Sequence, residues 1–152
     1  MLAGTGVAQP AGTGERAARS PPIEVLSMDD KTRTQQGMAI RREVLGNDHV
    51  DRAIKNTTDF TAPFQEFITR YAWGDIWSRP GLSRAERSMI TLTALAVLRQ
   101  EEELAMHVRA ALANGLSPSQ IQEVLLQVAV YAGVPAANLA FAIAAEVLEN
   151  AT

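Results

Sequence analysis

LSRAERSMITLTALAVL, residues 82–98, is the stretch that decides the fold class. It opens with Ser83 and, three positions later, Glu86. This S-x-x-E pattern is a capping box, in which each side chain bonds the backbone amide of the other residue at a helix N-terminus. The apolar residues that follow lack the strict alternation of a strand and lie on almost every side of a helix. Because such a helix needs cover all round, the stretch predicts the inside of a helical bundle.

The segments on either side carry the same kind of helix signal. Gly46, Pro80-Gly81, Asn114-Gly115 and Gly133 mark the breaks between them. No stretch shows apolar and polar residues alternating between hairpin turns. The pattern therefore predicts an all-α bundle of about six to seven helices. The predicted helices cover residues 29–45, 49–55, 63–77, 83–98, 101–114, 117–133 and 135–148.

The chain divides into an N-terminal extension and one domain. Residues 1–28 are rich in Gly, Ala, Pro, Ser and Thr, so we expect a disordered extension there and a single domain over residues 29–152. The extension lacks the apolar run of a signal peptide. The longest apolar stretches, residues 89–98 and 124–134, are too short to span a bilayer. We therefore expect a soluble, cytoplasmic protein.

The composition excludes several classes of function. The net charge of -3 provides no basic surface for nucleic acid or for an anionic membrane. The absence of cysteine excludes disulfides, thiolate nucleophiles and Cys-ligated zinc. The two histidines, His49 and His107, lie far apart in sequence, so we expect no metal site within one chain. We interpret His49, which follows Gly46-Asn47-Asp48, as a cap or surface residue.

Two predicted helices are more apolar than a small monomer can cover. Residues 89–98 and 121–132 carry apolar side chains on nearly all faces. A surface helix of a monomer keeps a polar face, so other subunits must supply part of the cover. We therefore expect a homo-oligomer.

One histidine is placed for acid–base chemistry. In the helix over residues 101–114, His107 lies at the edge of the apolar stripe and Glu103 lies one turn before it. A carboxylate at this spacing can orient the imidazole and raise its pKa, as a general acid or base requires. The alternative is a structural histidine beside a surface glutamate. Glu86 is a second candidate carboxylate, although the capping box explains it as well.

Aromatic and basic residues nearby suit an anionic organic substrate. Trp73 and Trp77 lie one turn apart and are followed by Arg79. An indole wall with a guanidinium fits a flat organic acid, and ordinary core packing with a solvated arginine is the alternative. Tyr131 could point its hydroxyl into a pocket. Arg99 and Arg109 are further anion partners, for which a solvated face is the alternative.

Four stretches of the chain carry a family resemblance: GMAIRREVLGNDHVDRA (37–53), FITRYAWGDIWSRPGLSRAERSMITL (67–92), EEELAMHVRAALANGLS (101–117) and IQEVLLQVAVYAGVPAAN (121–138). They resemble the γ-carboxymuconolactone decarboxylases of the AhpD-like superfamily. The resemblance implies an all-helical bundle assembled into homotrimers or homohexamers. The redox branch of that superfamily has a Cys-x-x-Cys before its histidine; Gln100 and Glu103 stand at those positions here, which excludes peroxide reduction by a dithiol.

The resemblance also implies a reaction. A small lactone dicarboxylate, 4-carboxymuconolactone, would lose CO2 to give 3-oxoadipate enol-lactone in protocatechuate degradation through the β-ketoadipate pathway. No cofactor is expected, because the substrate contains its own electron sink. The implied roles are proton delivery by His107, orientation of His107 by Glu103 or Glu86, binding of the remaining carboxylate by Arg79 or Arg99, and exclusion of water by Trp73, Trp77 and Tyr131.

Two other functions stay open on the sequence. The same fold could act on a different lactone or keto-acid in a biosynthetic pathway, which a panel of substrates would reveal. A non-catalytic oligomeric binding protein would show no turnover and would be indifferent to substitution of His107.

Overall fold

Seven α-helices and one π-helix make up residues 29–150, the part of the chain that the computed structural model describes. No strand occurs in this part, which confirms the predicted all-α class. None of its helices is both long enough and apolar enough to cross a membrane. The predicted disordered extension, residues 1–28, lies outside the described residues. The helices are α1 (Asp30–Leu45), α2 (Asn47–Lys55), α3 (Ala62–Ile68), the π-helix (Thr69–Ile76), α4 (Arg84–Leu98), α5 (Glu101–Ala113), α6 (Pro118–Ala132) and α7 (Val134–Glu149).

Local side-chain caps determine where the helices begin, as the sequence predicted. Both reciprocal bonds of the capping box between Ser83 and Glu86 are present at the start of α4. A second box joins Ser117 to Gln120 at the start of α6. At the start of α1, the side chain of Asp29 accepts a hydrogen bond of 2.8 Å from the Thr32 amide. These caps satisfy amide groups that have no partner inside the helix.

The main core lies among α4, α5, α6 and α7. Leu92, Leu104, Ile121 and Leu125 are almost completely buried there, and Ala140 contributes a small side chain from α7. Small residues at this position let α7 approach its neighbours closely. Because α5 packs against α4 and α7 and also against α1, it connects this core to the N-terminal helices.

A second, smaller core lies where α1 meets the π-helix and α5. It contains Ile40 and Val44 from α1, Trp73 from the π-helix and Ala110 from α5. An α-helix was predicted over residues 63–77. The structure has an α-helix only as far as Ile68, and the chain continues from Thr69 as a π-helix. The wider winding is a tertiary effect, and π-helical turns occur frequently at functional sites.

The contact between α1 and the π-helix depends on two glycines. A Cβ atom on Gly37 would lie 2.8 Å from the Gly74 amide nitrogen and closer still to the Thr69 carbonyl oxygen. A Cβ on Gly74 would lie 2.5 Å from the Arg33 carbonyl oxygen. Because the obstructing atoms belong to the backbone, the two elements could not stay this close with any larger residue.

We predict that Gly37→Ala lowers the free energy of unfolding by about 2 kcal/mol, since overpacking outweighs the gain in helix propensity that alanine normally gives. Urea denaturation measures the change. The control is Gln35→Ala, an exposed position in the same helix, which should be neutral or slightly stabilising. A Gly37→Ala protein as stable as the parent would contradict the close packing.

Candidate active site

His107 lies in the middle of α5, half-buried, at the edge of the apolar face. Leu104, Val108 and Ala111 form that face and are buried in the main core. The structure thus places His107 where the helical periodicity predicted it. One turn further along α5 is Ala110, which belongs to the second core together with Trp73.

His49 is the residue whose position the sequence interpretation missed. It lies in α2, half-buried, and its positive charge acts on the pKa of His107. The interpretation as a cap or surface residue did not include this effect on His107. Gly46, with a φ of 83, ends α1 and starts α2 without an intervening loop, so the chain doubles back toward α5. A sequence separation of 58 positions hides this proximity, because only the packing of α1 brings the two helices together.

Burial controls the charge of the His107 imidazole. It lowers the pKa of His107 to about 4, and repulsion by His49 acts in the same direction. The carboxylate of Glu103 raises that pKa, but its effect is the smallest of the three. Glu103 is exposed, so water weakens its field. The expectation that Glu103 gives His107 a raised pKa is therefore wrong, and the imidazole is neutral at pH 7.

The two predicted carboxylates lie on different sides of His107. In the described part of the chain no hydrogen bond joins Glu103 to His107. Glu86 is engaged in its cap, where Oε2 accepts bonds of 2.7 and 2.8 Å from the Ser83 amide and hydroxyl, and these bonds lower the pKa of Glu86. Asn114 donates to Ser88 across the α4–α5 pair, which places the start of α4 beside the end of α5, about 10 Å along the axis from His107.

Trp73 and Trp77 pack against each other. The ring centroids of Trp73 and Trp77 lie 5.1 Å apart with an angle of 34° between the rings. Trp73 is buried and Trp77 is half-buried, and both pack in the second core. The tryptophans therefore pack in a hydrophobic core, which was the alternative to a substrate wall. Val44 and Ala110 of the same core border a cavity.

That cavity has a volume of about 420 Å³ and lies between the α1–α2 corner and α5. Val44, Leu45 and Ala110, all members of the second core or packed against it, form its apolar side. Arg52 and Arg109 contribute positive charge. The complete lining is Glu43, Val44, Leu45, Gly46, Asn47, Asp48, His49, Arg52, Met106, Arg109, Ala110 and Ala113. A cavity lined by both apolar and cationic residues suits an amphiphilic organic anion.

Three predicted substrate contacts lie outside this cavity. Arg79 is exposed in the loop after the π-helix, where its carbonyl oxygen accepts a bond from Arg87. Arg99 is exposed at the C-terminus of α4, with a φ of 56. Tyr131 is 82% exposed and lines a surface groove of α4 and α6. None of these three residues lines the cavity, and their roles stay predictions.

The described residues contain no group of three His, Asp or Glu side chains arranged to hold a metal ion. That the reaction needs no metal and no cofactor stays a prediction.

Comparison with known proteins identifies the family. Residues 62–146 match the carboxymuconolactone decarboxylase family. The chain is also 46% identical over 123 residues to a 4-carboxymuconolactone decarboxylase of Acinetobacter baylyi, covering 81% of this chain and 92% of that protein. The chain belongs to the carboxymuconolactone decarboxylase family. The family match contains His107 and both tryptophans, whereas the α1–α2 corner with His49 precedes it.

Two further relatives carry the names of decarboxylases. The chain is 44% identical over 100 residues to a nitrosuccinic acid decarboxylase of Metarhizium robertsii, which is 66% of this chain and 70% of that protein. It is 54% identical over 48 residues to a 4-carboxymuconolactone decarboxylase of Pseudomonas putida, which is 32% of this chain and 100% of the matched sequence.

We predict that the His107 imidazole of the free protein titrates near pH 4, which NMR of the ring protons measures. His49→Gln removes a positive neighbour and should raise this pKa, whereas Glu103→Gln removes a negative one and should lower it. The unfolded chain binds the proton near pH 6.5 and the folded chain only near pH 4, so His107 destabilises the fold as the pH falls between these values. A His107 pKa at or above 6.5 would contradict the dominance of burial.

Proposed function

We propose that this chain is a cofactor-independent carboxy-lyase that converts 4-carboxymuconolactone to 3-oxoadipate enol-lactone in protocatechuate breakdown, a step of the β-ketoadipate pathway. The observation that carries the proposal is the 46% identity to the Acinetobacter baylyi decarboxylase over 92% of that protein. A neutral, half-buried His107 on α5, the helix that also lines a cavity with apolar residues, supports it.

The reaction requires a place for an electron pair and a source of one proton. The bond between the ring carbon and the leaving carboxylate breaks, and its electron pair passes through the ring alkene to the lactone carbonyl oxygen. CO2 departs and a dienolate remains. A new carbon–hydrogen bond then forms, so one proton is consumed for each CO2 released. The protein must hold the carboxylate that stays, stabilise the oxyanion and supply this proton.

His107 supplies the proton in this proposal. With a pKa of about 4 the free protein holds the imidazole neutral, so it must first gain a proton. The substrate carries two carboxylates, and negative charge brought near a buried imidazole raises its pKa. Binding therefore charges His107, and the imidazolium then delivers the proton to carbon.

The apolar side of the cavity favours loss of CO2. A carboxylate placed against Val44, Leu45 and Ala110 loses its hydration, whereas neutral CO2 does not need it. Trp73 and Trp77 hold this side in place from behind. The orienting roles of Glu103 and Glu86 and the substrate contacts of Arg79, Arg99 and Tyr131 stay part of the proposal as the family resemblance implied them.

We further propose that the protein assembles as a homotrimer or homohexamer in the cytoplasm. Large apolar side chains on α4 and α6 are exposed in the single chain, among them Val130 at 77% and Tyr131 at 82%. A contiguous apolar surface of this kind is typical of a subunit interface. Tyr131 would then serve the assembled protein, since it lies away from His107 in its own chain.

A second candidate substrate follows from the Metarhizium robertsii relative. Nitrosuccinic acid, which the name of that relative gives, is also a dicarboxylic acid with an electron-withdrawing group beside the carboxyl that leaves. The same site chemistry would serve it, because the substrate again provides the electron sink. Turnover of nitrosuccinate without turnover of the lactone would favour this alternative.

We predict that the purified protein releases CO2 from 4-carboxymuconolactone in the presence of EDTA, and that His107→Ala lowers kcat about 100- to 10,000-fold because the proton donor is lost. The lactone is generated in situ and enol-lactone formation is followed by ultraviolet absorbance. Lys55→Ala, an exposed position on α2, serves as the matched control and should keep full activity. Near-normal turnover of a folded His107→Ala protein would remove His107 from the mechanism, and loss of activity with EDTA would contradict a metal-free reaction.

A further inference from the structure

Three arginines from three helices act on the charge of His49. Burial lowers the pKa of His49 first, and repulsion by three positive charges lowers it further: those of Arg41 from α1, Arg52 from α2 and Arg109 from α5. Arg52 and Arg109 also line the cavity beside His49. Arg52 and Arg109 are exposed, so water solvates their charges, and an anion in the cavity would further reduce the repulsion between like charges.

Carboxylates also lie near two of these arginines: Asp48 lines the cavity with Arg52, and Glu101, Glu102 and Glu146 line a second cavity with Arg109. In residues 29–150 the arginines that form ion pairs are Arg33, Arg42, Arg70 and Arg84. Arg41, Arg52 and Arg109 are not among them. Of the two acidic residues that line the cavity, Glu43 is paired with Arg84 at 3.0 Å and Asp48 lies in the first turn of α2.

Arg41, unlike Arg52 and Arg109, is buried. Only 5% of its surface is exposed, and its guanidinium donates to Gln65 and Thr69, which are both neutral. Its Nε has no hydrogen-bond partner. A buried charge without a counter-charge is costly, and an anion bound nearby would relieve that cost.

We propose that the cavity between the α1–α2 corner and α5 is the subsite for the carboxylate that the substrate keeps, and that Arg52 and Arg109 hold it. This inference rests on the proposed function and replaces Arg79 and Arg99 as the anchor. The cavity is large enough for a small dicarboxylate, and both cationic and apolar residues line it.

The subsite also explains which carboxylate leaves. Charge-assisted bonds to guanidinium groups stabilise a carboxylate and disfavour its conversion to neutral CO2. The carboxylate next to Arg52 and Arg109 therefore stays on the substrate. The second carboxylate is directed to the apolar side at Val44 and Ala110, where loss of charge is favoured. The chemical class that this site selects is a small dicarboxylate.

The first test separates binding from chemistry by using succinate, a dicarboxylate that cannot react. Succinate is titrated into the folded protein and the ring signals of His49 and His107 are followed by NMR. We expect saturable shifts and a raised pKa of His49. Arg52→Gln and Arg109→Gln should each weaken the affinity about 10- to 100-fold, the effect of removing a hydrogen bond to a charged group. Arg70→Gln, whose partner Asp30 lies outside the cavity, is the matched control and should bind as the parent does.

The second test uses turnover of 4-carboxymuconolactone, where Arg52→Gln and Arg109→Gln should raise KM more than they lower kcat. The subsite is overturned if succinate does not bind the folded parent, if equal concentrations of chloride give the same shifts, or if Arg79→Gln or Arg99→Gln weakens binding while Arg52→Gln and Arg109→Gln do not. Succinate binding that depends on Arg52 and Arg109, in a protein that does not turn over the lactone, would support the subsite and contradict the proposed substrate.

Discussion

The close contact of α1 with the π-helix is the constraint on which the site depends. Gly37 and Gly74 allow two backbones to touch, and no side chain larger than hydrogen fits between them. This contact fixes Trp73 against Val44 and brings the buried guanidinium of Arg41 to the neutral groups of Gln65 and Thr69. The corner at the end of α1 is thereby held beside α5, so the cavity and the pair of histidines follow from it.

Desolvation decides the chemistry that this arrangement supports. A surface glutamate one turn from an imidazole has too little influence to offset burial, and the second histidine adds to the same shift. In the free protein His107 is therefore neutral, and Arg41, Arg52 and Arg109 carry positive charge. A dianionic substrate reverses both conditions, because it compensates the arginines and makes a charged imidazole favourable. Binding and proton donation are coupled in this way, so the protein needs no permanently charged acid.

Local features of the fold could be predicted from the sequence and long-range ones could not. The starts of α4 and α6 were predictable because Ser83 and Ser117 cap amides only three positions away. The π-helical winding and the proximity of His49 to His107 depend on how α1 packs, which no local pattern records. The predicted indole pair was found by its spacing. Arg109 was named from the sequence as an anion partner, but its grouping with Arg41 and Arg52 was missed because the three residues come from separate helices.

Coupling between binding and protonation can be measured directly by proton uptake in a weakly buffered solution. The protein at pH 7 is mixed rapidly with excess 4-carboxymuconolactone, and a pH indicator and the lactone absorbance are followed together. Uptake of one proton per site in the binding phase, before the absorbance change, and its absence in His107→Ala are the predicted results. Proton uptake only in step with decarboxylation, or binding-phase uptake unchanged in His107→Ala, would contradict the coupling.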